Sequence, residues 1–166
     1  MNLDIDSTLQ KMANELAEYC QKKAIIDPVV VGIHSGGVWV AERILANLQT
    51  KESLATLDIT FYRDDFSRMG LHPKVKQTVL PSTEGRHVIL VDDVLMSGRT
   101  IRAAMNEVFD FGRPASITLA ILYDLDQAEL PIKADVTGET VHLKEKQRLK
   151  LSGPLPLTVS LLGGNL

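Results

Sequence analysis

The sequence has little that would send it out of the cell or into a membrane. Its 166 residues include one cysteine, Cys20, so no disulfide can close within the chain and the disulfide-built secreted classes are excluded. The first thirty residues carry neither a basic start nor a long apolar stretch, so no export signal is expected. The longest nearly apolar runs, Pro28 to Ile33 and Val88 to Val91, fall far short of the roughly 20 residues that span a bilayer. A cytoplasmic protein is therefore expected. Neither sign of charge dominates, since 18 Lys and Arg against 21 Asp and Glu give a net charge of -3, which excludes a basic-tailed nucleic-acid binder. The four histidines show no metal-ligand spacing. Neither Gly-x-x-x-x-Gly-Lys-Ser/Thr nor Gly-x-Gly-x-x-Gly occurs, which removes P-loop nucleotide hydrolases and dinucleotide enzymes.

What is present reads as one domain of alternating strands and helices. Asp6 and Ser7 with Gln10 make a capping box, and Leu9, Met12, Ala13, Leu16, Ala17 and Cys20 then recur on one helical face. Residues 28 to 33 form an apolar strand, His34-Ser35-Gly36-Gly37 a turn, and Val38, Ala41, Leu45 and Leu48 one side of a following helix. Alternation predicts a strand over 56 to 62. No period survives from Arg63 to Arg86, and connections of that length more often serve as functional lids than as passive loops. Residues 87 to 92 are a buried strand, 94 to 98 a turn, and 99 to 111 a helix stopped by Gly112 and Pro114. Residues 116 to 123 are another buried strand, about 124 to 138 and the C-terminal segment a small hood, and Val159 to Leu162 a last short strand. The fold class is thus α/β, a mostly parallel central sheet flanked by helices, with its site at the carboxyl ends of the strands.

The chemistry is concentrated in Val88-Ile89-Leu90-Val91-Asp92-Asp93-Val94-Leu95-Met96-Ser97-Gly98-Arg99-Thr100. A strand delivers two carboxylates to the sheet edge, and a turn of hydroxyls and glycine leads into a helix amino terminus, where free N–H groups favour a phosphate. A bare phosphate has no need of the acids. A ribose 5-phosphate unit satisfies both halves, its hydroxyls on Asp92 and Asp93 and its phosphate on the backbone of residues 96 to 100. An isolated Asp-Asp pair is often only a solvated strand end; the complete run carries the inference. A phosphoacceptor receiver domain would also end a strand in two aspartates, but it places them after its first strand.

The run resembles the binding motif for phosphoribosyl pyrophosphate (PRPP) of type I phosphoribosyltransferases, in which four hydrophobic residues and two acids precede a hydroxyl-Gly-x-Thr turn. Within that superfamily the chain is similar to the PyrR family, pyrimidine operon regulators that also have uracil phosphoribosyltransferase activity. Residues 57 to 67, 102 to 105, 112 to 117 and 129 to 135 look like that family's segments in the same order, and the likeness runs from about residue 29 to 138. The resemblance implies transfer of phosphoribose from PRPP to uracil, giving UMP and pyrophosphate, with Mg²⁺ held mainly by substrate oxygens. It also implies PRPP contacts from Asp92, Asp93, Val94, Leu95, Met96, Ser97, Gly98, Arg99 and Thr100, a pyrophosphate loop at His34, Ser35, Gly36 and Gly37, and Arg63 reaching the pyrophosphate from a mobile loop over 63 to 86. A homodimer or higher oligomer follows on the same ground.

The chain departs from the family pattern at two places. The first turn usually carries a basic residue, a threonine, an arginine and a glycine, and here the arginine is replaced by Gly36. Losing a charged partner in a dry site costs about 2 to 4 kcal/mol, or roughly one to three powers of ten in rate, so weakened turnover is expected. Where relatives read Asp-Arg-Gly-His, this chain reads Asp124-Leu125-Asp126-Gln127, which leaves Asp124, Leu125 and backbone groups of the hood to read the base. A non-catalytic PRPP or UMP sensor and a phosphoribosyltransferase for another base are the competing readings. For RNA the candidates are Lys144, Lys146, Arg148 and Lys150, which alternate with other residues so that a strand would carry them on one face. A wet edge strand that resists aggregation gives the same pattern. The aromatic content of 5% offers little for base stacking.

Overall fold

The protein is described by a computed structural model over residues 2–59 and 78–164. Its elements are α1 (Ile5–Lys22), β1 (Val29–Ile33), α2 (Gly36–Ile44) with a short 3-10 turn (Leu45–Asn47), β2 (Ala55–Leu57), β3 (His87–Leu95), α3 (Arg99–Asp110), β4 (Ser116–Asp124), β5 (Val136–Thr140), β6 (Arg148–Ser152) and β7 (Thr158–Leu162). The first five strands form one sheet in the order β2-β1-β3-β4-β5, and every neighbouring pair is parallel. The strand order reverses between β1 and β3. In open parallel sheets the crevice outside such a reversal, at the carboxyl ends, is where ligands bind.

Side-chain alternation along the strands divides the core into two layers. Val30, Ile89, Val91, Ala120 and Leu122 pack with Met12 and Leu16 of α1 and with Val40, Ala41 and Ile44 of α2. Val31, Val88, Leu90, Leu119 and Ile121 pack on the opposite face with Ile101, Ala104 and Val108 of α3. Both faces are covered, which is why these strands read as continuous apolar runs.

Several expected boundaries move. The cap of α1 is Asp4, whose carboxylate accepts from the Ser7 N–H at 3.1 Å, rather than Asp6 or Ser7. Leu48 falls beyond α2, which ends at Ile44 and tightens into the 3-10 turn. The strand expected over 56 to 62 is Ala55–Leu57 in its described part, and residues 60 to 62 lie outside the described residues. β3 does not stop at its carboxylates: Asp92, Val94 and Leu95 stay in register with Ile121, Tyr123 and Asp124, so the turn is only 96 to 98. Of the hood expected from 124 to 138 and the C-terminal segment, residues 136 to 138 belong to β5, whose register of Val136 and Thr137 to Ala120 and Ile121 adds a fifth strand to the sheet.

The loop expected to be mobile over 63 to 86 is anchored at its end. Val79 bridges Thr56, the buried Thr83 hydroxyl donates to the Val108 carbonyl at 2.9 Å, and the Gly85 N–H donates to Arg113 O at 2.8 Å. Arg86 pairs with Glu52 and donates to Asp27 O at 2.9 Å. Those partners come from three other parts of the chain, so residues 79 to 86 belong to the framework. Arg63 and the rest of the expected lid, up to residue 77, lie outside the described residues.

The stripe Lys144, Lys146, Arg148 and Lys150 does not form. Residues 144 to 147 make a turn closed by Gln147 N to Lys144 O at 3.0 Å, with Lys146 at a φ of 64°, and only Arg148 and Lys150 stand on a strand, β6. β6 pairs antiparallel with β7. This hairpin sits against α2: Arg43 donates to Pro154 O at 2.5 Å, and a Cβ on Gly153 would lie 3.0 Å from Trp39.

Candidate functional site

Two turns meet at the reversal between β1 and β3. The first, His34 to Gly37, leaves β1 with the His34 N–H donating to Leu57 O at 2.9 Å and enters α2 at Gly36. The second, 96 to 98, enters α3 through Gly98 at a φ of 93°, a conformation that glycine adopts without a Cβ penalty. No side chain caps the start of α2, and at α3 the Ser97 hydroxyl takes only the Arg99 N–H, at 3.3 Å. The first-turn N–H groups of both helices therefore lack intrahelical partners and carry the positive end of a dipole, the arrangement that binds anions.

The carboxylates lie between these turns. Asp92 is 5% exposed, and its Oδ1 accepts from the Asp93 N–H at 2.9 Å. Asp93 Oδ1 accepts from the Val94 N–H at 2.8 Å. Each acid thus has one oxygen fixed by the backbone of the next residue, which sets its orientation. The first turn presses directly on them: a Cβ on Gly36 would fall 2.1 Å from Asp93 Oδ2, and one on Gly37 would fall 2.6 Å from Val91 O and 3.0 Å from Asp92 Cα. This close approach explains the two adjacent glycines and brings the start of α2 onto the acidic end of β3.

Beside the second turn lies a cavity of about 300 Å³. Val94, Leu95, Met96, Ser97, Gly98 and Thr100 line it on one side, so most of the expected PRPP run faces a single space. Its other wall contains Leu125 and Gln127, then Leu143, Gln147, Arg148 and Leu149 from the approach to β6 and its start. Arg99 points its charge elsewhere, pairing with Glu129 at 2.5 Å. Of the two expected base-reading residues, Leu125 lines the cavity, whereas Asp124 is not among the lining residues and its Oδ1 accepts from the Asp126 N–H at 2.9 Å. Of the four RNA candidates, only Arg148 borders the cavity. Gln127, Leu143, Gln147 and Leu149, with Ile101 of α3, were not anticipated; Leu143 and Leu149 were visible only as apolar positions flanking the basic residues.

The far wall is tied to the turn. Glu129 N and Leu130 N both donate to Ser97 O, at 2.9 and 3.3 Å, and Leu125 N donates to Leu95 O at 3.0 Å. Ile132 closes over Gly98, where a Cβ would sit 3.3 Å from it. Asp92 and Asp93 are not among the residues that line this cavity, whose turn can hold an anionic group while Val94 and Leu125 offer an apolar wall.

Residues 3–146 match the phosphoribosyl transferase domain family. The chain is 55% identical over 154 residues to the bifunctional protein PyrR of Pseudomonas fluorescens, covering 92% of each. It is 55% identical over 152 residues to that of Pseudomonas aeruginosa strain LESB58, covering 91% of this chain and 89% of the relative. The chain belongs to the PyrR family of phosphoribosyl transferase domains. Among solved structures, a hypoxanthine-guanine phosphoribosyltransferase from Bacillus anthracis superposes with a TM-score of 0.69 at 17% identity, over 85% of this chain and 82% of that one. A hypoxanthine phosphoribosyltransferase from Staphylococcus aureus gives 0.64 at 20% identity, over 81% and 73%. These two similarities establish the fold that this PyrR-family chain shares with purine enzymes. No helix among the described residues is long and apolar enough to cross a membrane.

Proposed function

We propose that this chain transfers the phosphoribosyl group of PRPP to uracil, releasing pyrophosphate and forming UMP, and that it serves pyrimidine gene regulation as a PyrR protein. The observation that carries the reading is that one strand, β3, carries two oriented carboxylates, Asp92 and Asp93, and runs on into the turn before α3, where Ser97 and Thr100 line the cavity. Phosphate alone would use the helix; ribose hydroxyls give the acids a purpose. Single-domain organisation, a homo-oligomeric state and a cytoplasmic location go with the family membership and are part of the proposal.

In this reaction uracil N1 attacks C1 of the ribose as pyrophosphate leaves, and positive charge builds on the sugar ring. The negative charge of Asp92 and Asp93 favours that state, and the uncapped start of α2 receives the leaving pyrophosphate. Leu125, Val94 and Leu143 keep water from the reacting carbon. Mg²⁺ would enter with PRPP, bound mainly by substrate oxygens, and would help neutralise the leaving pyrophosphate. Arg63 adds a charge for pyrophosphate on family resemblance.

RNA regulation rests on the PyrR family membership, with Lys144, Lys146, Arg148 and Lys150, all exposed, as the candidate contacts. A second reading, a PRPP or UMP sensor without turnover, is favoured by Gly36, where the family's arginine is absent and Asp93 fills the space. Incubation with uracil, PRPP and Mg²⁺, followed by chromatography sensitive to a rate about a thousandfold below ordinary turnover, separates them. UMP formation establishes the enzyme. Binding of UMP without its formation establishes the sensor, and product with hypoxanthine, guanine or orotate instead of uracil moves the assignment to another base.

A further inference from the structure

Arg148 is the one charged side chain among the described residues that line the cavity beside Ser97, Gly98 and Thr100. A phosphate monoester brings a charge of about -1.5 to -2 at neutral pH, whereas a helix start offers the equivalent of only about half a positive charge. Arg99, next to the turn in sequence, is engaged by Glu129. Arg148 has no ion pair with any described residue. Its backbone is held in place: β6 pairs with β7 from Arg148 to Ser152, Leu151 is buried in the core with Leu149 packed against it, and Arg43 fastens the far end of the hairpin to α2 through Pro154 O.

We propose that Arg148 supplies the cationic contact for the sugar phosphate, so that the phosphate is held between the start of α3 and the start of β6. This rests on the reading of the cavity as a phosphoribosyl site. A guanidinium suits the role because it presents a planar pair of donors to phosphate oxygens and stays charged at any working pH. The C-terminal hairpin then contributes a side chain to ligand binding, and affinity depends on a segment outside the motif that resembles other phosphoribosyltransferases.

The test is the UMP dissociation constant, by calorimetry at low and moderate salt, for the wild-type chain and for Arg148→Ala, Arg148→Lys and, as a control at the exposed end of α1, Lys22→Ala, with thermal unfolding of each. Arg148→Ala should weaken UMP about tenfold or more at low salt and flatten the salt dependence. Arg148→Lys, which keeps the charge but not the paired donors, should lie between Arg148→Ala and wild type, and Lys22→Ala should retain the full affinity. Unchanged UMP binding by Arg148→Ala overturns the proposal alone, as does equal weakening in Arg148→Ala and Arg148→Lys with the salt dependence intact, which would mark a packing role. Failure of the folded wild-type chain to bind UMP overturns the phosphoribosyl reading itself.

Discussion

Asp93 occupies the space that a side chain at position 36 would need, its Oδ2 lying 2.1 Å from where a Gly36 Cβ would be. The conflict at Gly36 is with the movable end of a carboxylate, whereas that at Gly37 is with Val91 O at 2.6 Å and Asp92 Cα at 3.0 Å, both backbone. Gly36→Ala should therefore turn Asp93 aside and weaken Mg-PRPP binding about tenfold or more, while stability changes by less than about 1 kcal/mol. Gly37→Ala should cost about 1 to 3 kcal/mol of stability as well. Calorimetric binding and urea unfolding of both variants check this. Equal stability of the two would show that the first turn is looser than its packing indicates.

The paired acids give a second prediction. Because Asp92 and Asp93 each accept one local backbone hydrogen bond that an amide oxygen can also accept, Asp92→Asn with Asp93→Asn should leave the fold intact. The same change removes two negative charges from the ribose contact, so Mg-PRPP affinity should fall by about a hundredfold, or roughly 3 kcal/mol. Retained affinity in a folded double variant would remove these carboxylates from the ligand site.

Much of this architecture was legible because strands buried on both faces announce themselves as apolar runs, and residues 88 to 100 carry their chemistry in order. Less visible was what depends on distant partners. β5 contains Gly138 and polar Thr137, Glu139 and Thr140, and it becomes a strand only by pairing with the rim of β4. Val94 and Leu95 looked like a turn because they follow two acids, yet register with Tyr123 and Asp124 keeps them extended. The basic alternation from Lys144 to Lys150 imitated a strand, but Lys146 adopts a left-handed backbone and the period breaks there. The cavity's second wall was hidden for the same reason, since the hairpin that supplies Arg148 is placed by Trp39 and Arg43, more than a hundred residues earlier.

Acid should loosen the edge of the sheet where Arg86 meets the segment before β1. The Asp27 carboxyl is held below its ordinary range, chiefly because its Oδ1 accepts from the Lys51 N–H at 2.7 Å and also because Arg86 is near. A group whose pKa is lower folded than unfolded binds more protons unfolded in the window between the two values. Its stabilisation is therefore present above the unfolded value of about 4 and is lost as pH falls through the folded one. Asp27 has a φ of 52°, which asparagine tolerates, so Asp27→Asn isolates the charge. Urea unfolding should find this variant less stable than wild type near neutral pH, with the gap closing toward pH 3. A gap independent of pH would assign the difference to something other than the carboxylate.

Tyr123 sets the opposite kind of test. The side chain is fully buried between the sheet and α1, and its hydroxyl makes no hydrogen bond with a described residue. Burial is the main reason its pKa is pushed up, and the neighbouring Thr8 hydroxyl, which is close without making a well-formed hydrogen bond, partly offsets the rise. A buried hydroxyl that lacks a partner forfeits the hydrogen bonds it makes to water when unfolded, a cost of about 1 to 3 kcal/mol. Tyr123→Phe keeps the ring that packs with Met12 and Leu16 and deletes only the oxygen, so it should raise stability by about 1 kcal/mol and leave UMP affinity unchanged. Thermal and urea unfolding measure the first, calorimetry the second. A loss of stability above about 1 kcal/mol would mean that the hydroxyl is hydrogen-bonded in solution, with an ordered water between Tyr123 and Thr8 as the first place to look.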